Sequence, residues 1–186
     1  MPQQGEEMPA LSIQCEADGV LGTIAPLALA VSAGTAIVVD LEPTGPHYPS
    51  NSSLAALVSE GPRRTDLTPA RRGVAVLRNG GVSPEAAGEV VEALIAGWPH
   101  VVLRSRSRVA FCPTVPVVPL LPGGLVARAH HRAVYQQMGW REQAPGPGPV
   151  LPTPSRATVK ALCEGRLPLG SRWVRAWQRV WETPWA

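Results

Sequence analysis

The amino-acid sequence predicts an α/β fold, with a mostly parallel sheet flanked by helices and followed by a C-terminal helical tail. Three observations support this prediction. Short apolar runs of strand length alternate with helix-like segments, a pattern typical of right-handed βαβ crossovers. Residues 35–40 form a nearly continuous apolar run, as expected of a parallel strand buried on both faces. Ser83 and Pro84 precede an amphipathic segment that ends at Gly97, which predicts a helix.

The first elements are predicted from the hydrophobic period and from glycine. Residues 1–10 are polar with two prolines and predict a flexible tail. The strand that follows is predicted from three apolar residues that alternate with polar ones: Leu11, Ile13 and Cys15. Residues 16–23 contain two glycines and predict a loop. Residues 23–32 then predict a helix with Thr23 as its N-cap.

Proline and glycine also delimit the later elements. The sequence predicts a loop over residues 42–53, a short helix over 52–60 and a strand over 73–78. Residues 100–104 predict another strand. Residues 115–121 predict an edge strand, because two prolines interrupt this run and proline cannot donate a hydrogen bond to a neighbouring strand.

The elements group into one principal domain and a tail. Residues 11–143 are expected to form the α/β domain. Residues 144–154 contain five prolines, which predict a semi-rigid linker. Residues 155–186 are expected to form a helical tail.

The charge of the chain is unevenly distributed. Of its 186 residues, 45% are hydrophobic and 17% are charged, which excludes wholesale disorder. No lysine or arginine precedes Arg63, whereas residues 1–62 hold seven acidic groups and the remainder carries a net charge of +10, from 17 basic and seven acidic groups. Such asymmetry attracts either an anionic partner or the other half of the same chain, and both interpretations stay open.

Several classes of site and location are disfavoured. Three widely spaced cysteines and an adjacent pair of histidines, His130 and His131, do not have the spacing of metal ligands. Residues 19–39 carry no charge and reach the length of a membrane span, but a helix followed by a buried strand explains them better because Pro26 and Gly34 interrupt them. We therefore expect a cytoplasmic protein.

Three segments resemble ParA/MinD-type P-loop ATPases. Residues 18–30, Asp-Gly-Val-Leu-Gly-Thr-Ile-Ala-Pro-Leu-Ala-Leu-Ala, are similar to the deviant Walker A region, which is KGGxGKT followed by an apolar helix. Residues 36–45, Ala-Ile-Val-Val-Asp-Leu-Glu-Pro-Thr-Gly, resemble the VVDxDPxG-like end of the family's second strand. Residues 74–81 are similar to a later strand and turn. The resemblance covers residues 11–121 and implies a bacterial, ParA-like three-layer α/β domain.

The lysines that such an ATPase needs are absent. A P-loop directs backbone N–H groups at the phosphates while a lysine neutralises the β and γ charges. Gly22 directly precedes Thr23, where the family has a lysine between them, and the first lysine of the motif is matched by Asp18 or Ala17. The only lysine of the chain is Lys160, far from this segment.

The carboxylate that would hold magnesium is absent as well. The resemblance matches residues 100–104 to the Walker B strand, and this strand ends in Arg104. It also places Asp40 where the family has an acidic residue that organises the attacking water; alternatively, Asp40 caps a neighbouring element. Gly19, Gly22, Thr23 and Asp40 are thus interpreted as a vestigial nucleotide loop, and we expect no catalytic residue, no metal and no ATP–magnesium cofactor.

The C-terminal tail contains a basic, aromatic helix over residues 172–181. One face is predicted to carry three tryptophans: Trp173, Trp177 and Trp181. Another carries three arginines: Arg172, Arg175 and Arg179. The tryptophan face either covers the domain core, binds a groove on a partner protein or docks on a membrane surface.

The sequence therefore predicts a non-catalytic, pseudo-ATPase-like module that binds or positions a protein partner, with a second copy of the chain as one form of partner. One alternative is a divergent ATPase in which an arginine replaces the missing lysine, and four arginines are candidates: Arg63, Arg64, Arg71 and Arg72. Another is a peripheral protein at the inner face of the membrane or a nucleic-acid binder, of which the nucleic-acid binder is less favoured.

Overall fold

The computed structural model describes residues 10–16, 19–61, 73–126, 128, 130–139 and 141–185. Seven strands form one sheet in the order β3-β2-β4-β1-β5-β6-β7, and every neighbouring pair is parallel. The strands are β1 (Ala10–Gln14), β2 (Ala36–Asp40), β3 (Val74–Leu77), β4 (Val101–Arg104), β5 (Thr114–Leu120), β6 (Val134–Gln137) and β7 (Val150–Leu151). The predicted α/β class with a parallel sheet is confirmed.

Helices cover the two faces of the sheet unequally. They are α1 (Gly19–Ala33), α2 (Leu54–Glu60), α3 (Gly88–Gly97), α4 (Arg156–Cys163), α5 (Arg172–Ala176) and α6 (Gln178–Trp181). One core cluster joins α1 and the C-terminal helices to one face of the sheet. A second cluster joins α2 and α3 to the opposite face, where its strand residues come from β1 to β4.

Helix α1 begins earlier than the sequence predicts. The predicted loop over 16–23 is wrong from Gly19 onward, because Gly19, Gly22 and Thr23 all lie within α1. Thr23 is therefore not an N-cap, and its hydroxyl donates to the carbonyl oxygen of Gly19 at 2.8 Å. Ten residues of α1 are buried, and this packing outweighs the low helix propensity of the glycines.

The helix predicted after Ser83 forms, but its regular part starts at Gly88. The hydroxyl of Ser83 accepts a hydrogen bond from the backbone N–H of Ala86 at 3.3 Å, as a capping residue does. The intervening residues form turns instead of a regular helix. Ser83 is therefore confirmed as a capping residue, whereas the predicted start of the helix is wrong.

Strand β5 lies inside the sheet between β1 and β6, so the prediction of an edge strand is wrong. The carbonyl oxygen of Pro113 accepts from the N–H of Ser12, so alternate backbone groups of β5 face β1. By this alternation the nitrogen of Pro119 points toward the β1 side of β5. β1 ends at Gln14, so no strand residue lies opposite Pro119 on that side. Pro116 faces β6 where the pairing with β6 begins. Both prolines therefore lie where the sheet does not need an N–H donor.

The segment predicted as a linker, residues 144–154, contributes a strand to the sheet. Val150 and Leu151 form β7, which pairs with Tyr135 and Gln136 of β6. Leu151 is fully buried in the same core cluster as the C-terminal helices. The linker prediction is wrong for these two residues, because hydrogen bonding to β6 and burial fix them in place.

Among the described residues, no helix combines the length and the apolar character that crossing a membrane requires. The predicted N-terminal tail, residues 1–10, lies outside the described residues except for Ala10, which starts β1.

Candidate functional site

The carboxyl ends of β1, β2 and β4 meet at one edge of the sheet. The chain leaves β1 toward β2 on one side and leaves β4 toward β5 on the other side. In open α/β sheets, ligands bind outside the carboxyl ends of the strands where successive connections diverge in this way. The three strands end at Gln14, Asp40 and Arg104, and these residues are therefore candidates for a ligand site at this edge.

An ion pair occupies this edge. The Nη1 atom of Arg104 lies 3.0 Å from Oδ2 of Asp40, and the two side chains are 6% and 0% exposed. The two residues are register partners on adjacent strands. The other carboxylate oxygen of Asp40 accepts from the backbone N–H of Glu42 at 3.1 Å. Burial raises the pKa of Asp40, and the guanidinium of Arg104 opposes this rise.

The remaining surroundings of Arg104 also satisfy its charge. Its Nη1 donates to the carbonyl oxygen of Pro46 at 2.7 Å, and its guanidinium lies 5.3 Å from the ring centroid of Tyr48. The Tyr48 hydroxyl in turn donates to the carbonyl oxygen of Thr23 in α1 at 2.9 Å. Arg104 is thus held by an acid, a carbonyl and an aromatic face, and it ties β4 to the loop after β2.

A second ion pair closes the edge above the first. Arg106 donates its backbone N–H to the carboxylate of Glu42, and its side chain lies 3.4 Å from the same carboxylate. Gln14 donates to the carbonyl oxygen of Arg106 at 2.6 Å. Between these residues and the start of α1 there remains a cavity of about 20 Å³, which is room for about one water molecule. A triphosphate needs far more space.

The predicted nucleotide-loop residues lie in α1 and at the end of β2, not in a loop. Gly19 and Gly22 line the small cavity from within α1, Thr23 lies one residue further along the helix, and Asp40 is paired with Arg104. Ala17 and Asp18 lie outside the described residues, and so do four arginines considered as lysine replacements: Arg63, Arg64, Arg71 and Arg72.

The segment predicted as one helix over residues 172–181 forms two short helices, α5 and α6, which meet at Trp177, and it is docked on the domain. Trp173 and Trp177 are 2% and 0% exposed, and they meet edge to face with ring centroids 5.6 Å apart. The Trp173 indole N–H donates to the side-chain oxygen of Gln136 at 2.7 Å, and that of Trp181 donates to the carbonyl oxygen of Leu29 at 3.2 Å. Trp173 and Trp177 therefore cover the core, as in the first of the three alternatives, and their side chains are not exposed for contact with a partner or a membrane.

The three arginines of the same segment remain exposed: Arg172, Arg175 and Arg179. Arg175 also borders a shallow cavity of about 330 Å³, where Val31 of α1 faces Leu169 and Val174. Leu169 is 40% exposed. The outer surface of the tail thus combines positive charge with an apolar depression, and we call it the arginine face.

A second concave surface lies over β1 and β5. It has a volume of about 470 Å³ and is lined by three arginines and two histidines: Arg108, Arg128, His130, His131 and Arg132. We call it the basic groove. Its other lining residues are Gln14, Thr114 and Pro116 on the strands and Trp185 near the C-terminus. Arg132 donates to the carbonyl oxygen of Pro184, which holds this end of the tail against the groove.

Sequence reasoning missed the basic groove. His130 and His131 were considered only as a metal pair, and the described residues hold no cluster of three or more metal-ligating side chains. The available signal was the polar alternation in β1, where Ser12 and Gln14 stand in a strand at the centre of the sheet. A central parallel strand is normally apolar on both faces, so one polar face indicates a surface that no helix covers.

The thiol of Cys112, which packs against the core cluster of α2 and α3, is not activated as a nucleophile. Burial raises the pKa of the Cys112 thiol to about 12, which keeps it protonated and weakly nucleophilic at neutral pH.

No protein-family model matches the chain, and no curated protein matches it.

Proposed function

We propose that this chain is a non-catalytic, ParA/MinD-like module that binds or positions a protein partner. The observation that supports this proposal is the buried Asp40–Arg104 pair at the carboxyl edge of the sheet. An ATPase of the type that the sequence resembles needs a carboxylate for magnesium and a cation for the phosphates at that edge. Here Arg104 stands at the position matched to that carboxylate, the lysines are absent, and Asp40 is paired with Arg104.

Opening this edge for a nucleotide is energetically unfavourable. The Asp40 carboxylate would have to leave its guanidinium partner, and a buried charge without a partner is costly. Arg106 and Glu42 would have to separate as well. The cavity of about 20 Å³ leaves no room for phosphates unless both pairs open.

The partner surface that we propose is the arginine face. Arginine is over-represented in interface hot spots, and a depression that mixes apolar and cationic groups fits an acidic segment with one or two apolar side chains. Trp173 and Trp177 support this surface from beneath, because their burial anchors α5 and the start of α6, which carry the arginines.

Catalysis is tested by measuring magnesium-dependent phosphate release from ATP. We expect the purified chain to release phosphate no faster than the Asp40→Ala variant does. Release that requires magnesium and disappears in Asp40→Ala would overturn the proposal and favour the divergent ATPase.

Partner binding is tested with a charge reversal on the arginine face. We expect proteins that co-purify with the tagged chain to be lost when Arg172, Arg175 and Arg179 are changed to Glu. Arg156→Glu on α4 is the matched control, because it reverses one exposed charge outside this face. Co-purification that survives the triple change would reject this surface.

A further inference from the structure

We propose that the basic groove is a binding site for a small ligand that carries a phosphate group. This inference goes beyond the proposed partner binding, because the groove and the arginine face are lined by different residues. The groove involves neither Asp40 nor Arg104.

Part of the sheet face opposite α1 is polar. The core cluster opposite α1 contains strand residues of β1 to β4, and its β1 member is Ala10, at the start of that strand. Beyond Ala10, the residues of β1 on this face are Ser12 and Gln14, whose register partners on β5 are Thr114 and Pro116. Polar side chains in two central strands of a parallel sheet indicate a surface that binds a polar group.

Two hydroxyl groups on these strands have no hydrogen-bond partner among the described residues. Ser12 is fully buried, yet its Oγ atom has no hydrogen-bond partner among the described residues. The Oγ1 atom of its register partner Thr114, which lines the groove, has none there either. Buried hydroxyls are normally hydrogen-bonded. Because Thr114 lines the groove, a small side-chain rearrangement on ligand binding would give its hydroxyl a partner.

The lining of the groove is positively charged. Among the described residues that line the groove, three are arginines and none is acidic. Glu16, which lines the adjoining cavity, lies 3.3 Å from Arg128 and offsets part of this charge, and the three arginines still leave an excess of positive charge. Burial and the nearby Arg128 lower the pKa of His130. A concave surface with this excess concentrates anions, and guanidinium groups match the oxygens of a phosphate.

The size and lining indicate a phosphate attached to an organic group. An adjoining cavity of about 310 Å³ shares Gln14, Arg128 and His130 with the groove. Its apolar part is formed by three residues of β5: Val117, Val118 and Pro119. Both volumes are in the range of small-molecule sites. We infer that the phosphate lies among the arginines and that the organic part lies over β5.

The first test is calorimetric titration of the full chain with pyrophosphate in the absence of magnesium. We expect saturable binding to the unmodified chain. The double change Arg108→Gln and Arg128→Gln is expected to weaken it at least tenfold while the unfolding temperature of the free protein stays the same, because both side chains are exposed. Unchanged affinity in this double variant would overturn the inference.

A control separates the groove from general attraction of anions. Arg78→Gln combined with Arg156→Gln removes the same charge from exposed positions outside both surfaces, and we expect its pyrophosphate affinity to equal that of the unmodified chain. An equal loss in both double variants would contradict a specific site. Neither double variant changes the arginine face, which is tested by partner co-purification. Failure of the groove and failure of the proposed function therefore give different results.

A second arm of the test identifies the source of the phosphate. Phosphatidylcholine vesicles with a minor fraction of phosphatidic acid present a phosphate group on a membrane surface. If the protein sediments with these vesicles and the Arg108→Gln, Arg128→Gln variant does not, the ligand of the groove is a lipid headgroup. Binding of pyrophosphate without sedimentation would assign a soluble ligand, and absence of both would overturn the proposal.

Discussion

Asp40 and Arg104 end adjacent strands as register partners, and their charged atoms lie 3.0 Å apart in the interior. Each residue ends a strand that is otherwise apolar, so each would be an unfavourable buried charge without the other. Together they join β2 to β4 at the edge where a ligand of this fold class is expected. This relationship underlies both the stability of the carboxyl edge and the proposal that the module is non-catalytic.

We expect Arg104→Met to destabilise the protein by about 3–5 kcal/mol, because it leaves the buried Asp40 carboxylate without a cation. The loss is measured as the change in the free energy of unfolding in urea. The double variant Asp40→Leu, Arg104→Met should recover most of the loss, since it removes both charges. A double variant as unstable as Arg104→Met would contradict this account.

We expect Trp173→Ala to destabilise the fold by about 3–5 kcal/mol, because it removes a large buried side chain. It also removes the indole partner of the buried Gln136 side chain. Arg175→Ala on the exposed side of the same helix is the control and should change stability by less than about 0.5 kcal/mol. Equal effects of the two changes, measured by urea unfolding, would mean that the tail is not docked.

We expect Gly148→Ala to destabilise the protein strongly, although it lies in a proline-rich segment of linker-like composition. Gly148 has φ of 141°, and a Cβ atom there would lie 1.9 Å from the carbonyl oxygen of Ala133. Gly97→Ala, at the end of α3 with no atom within 4 Å of its added Cβ, should be neutral or stabilising by up to about 1 kcal/mol. Thermal unfolding of both variants decides the matter, and a harmless Gly148→Ala would show that the segment is not fixed against β6.

We expect stability to fall as the pH rises above about 10, because Tyr48 cannot ionise in the folded state. Burial raises its pKa above the ordinary value near 10, and Arg104 only partly opposes this. A raised folded-state pKa means that the stability is fully present below pH 10 and is lost at about 1.4 kcal/mol per further pH unit.

This effect is measured in the Tyr135→Phe variant, which leaves Tyr48 as the only tyrosine of the chain. Phenolate absorbance should appear together with global unfolding followed by circular dichroism. Phenolate that forms near pH 10 in a protein that is still folded would contradict the burial of Tyr48.

The hydrophobic pattern was sufficient to predict the class of fold. The run at residues 36–40 became a fully buried strand inside the sheet, and Ser83 caps the turns that lead into α3. Such signals are local: a strand's period or a capping hydroxyl depends on residues a few positions apart. They therefore survive in a single sequence.

Glycine and proline were misleading where tertiary contacts outweigh local propensity. Gly19 and Gly22 predict a loop, yet α1 includes them because its apolar residues pack on the sheet. Pro116 and Pro119 predict an edge strand, yet β5 is central because each ring faces a side where no N–H is needed. In both cases the cost of the residue is local, whereas the compensating contact comes from another part of the chain.

The sequence by itself determined the α/β class, the absence of the P-loop lysines and the arginine at the end of β4, because residue identity and periodicity are properties of the chain alone. Only the tertiary structure decided that Arg104 neutralises Asp40, that the tryptophans of the tail lie in the core, and that Arg108 and Arg128 line one groove. Each of these relationships joins residues distant in sequence. Their distance and burial depend on how the strands are ordered, and no local pattern specifies that order.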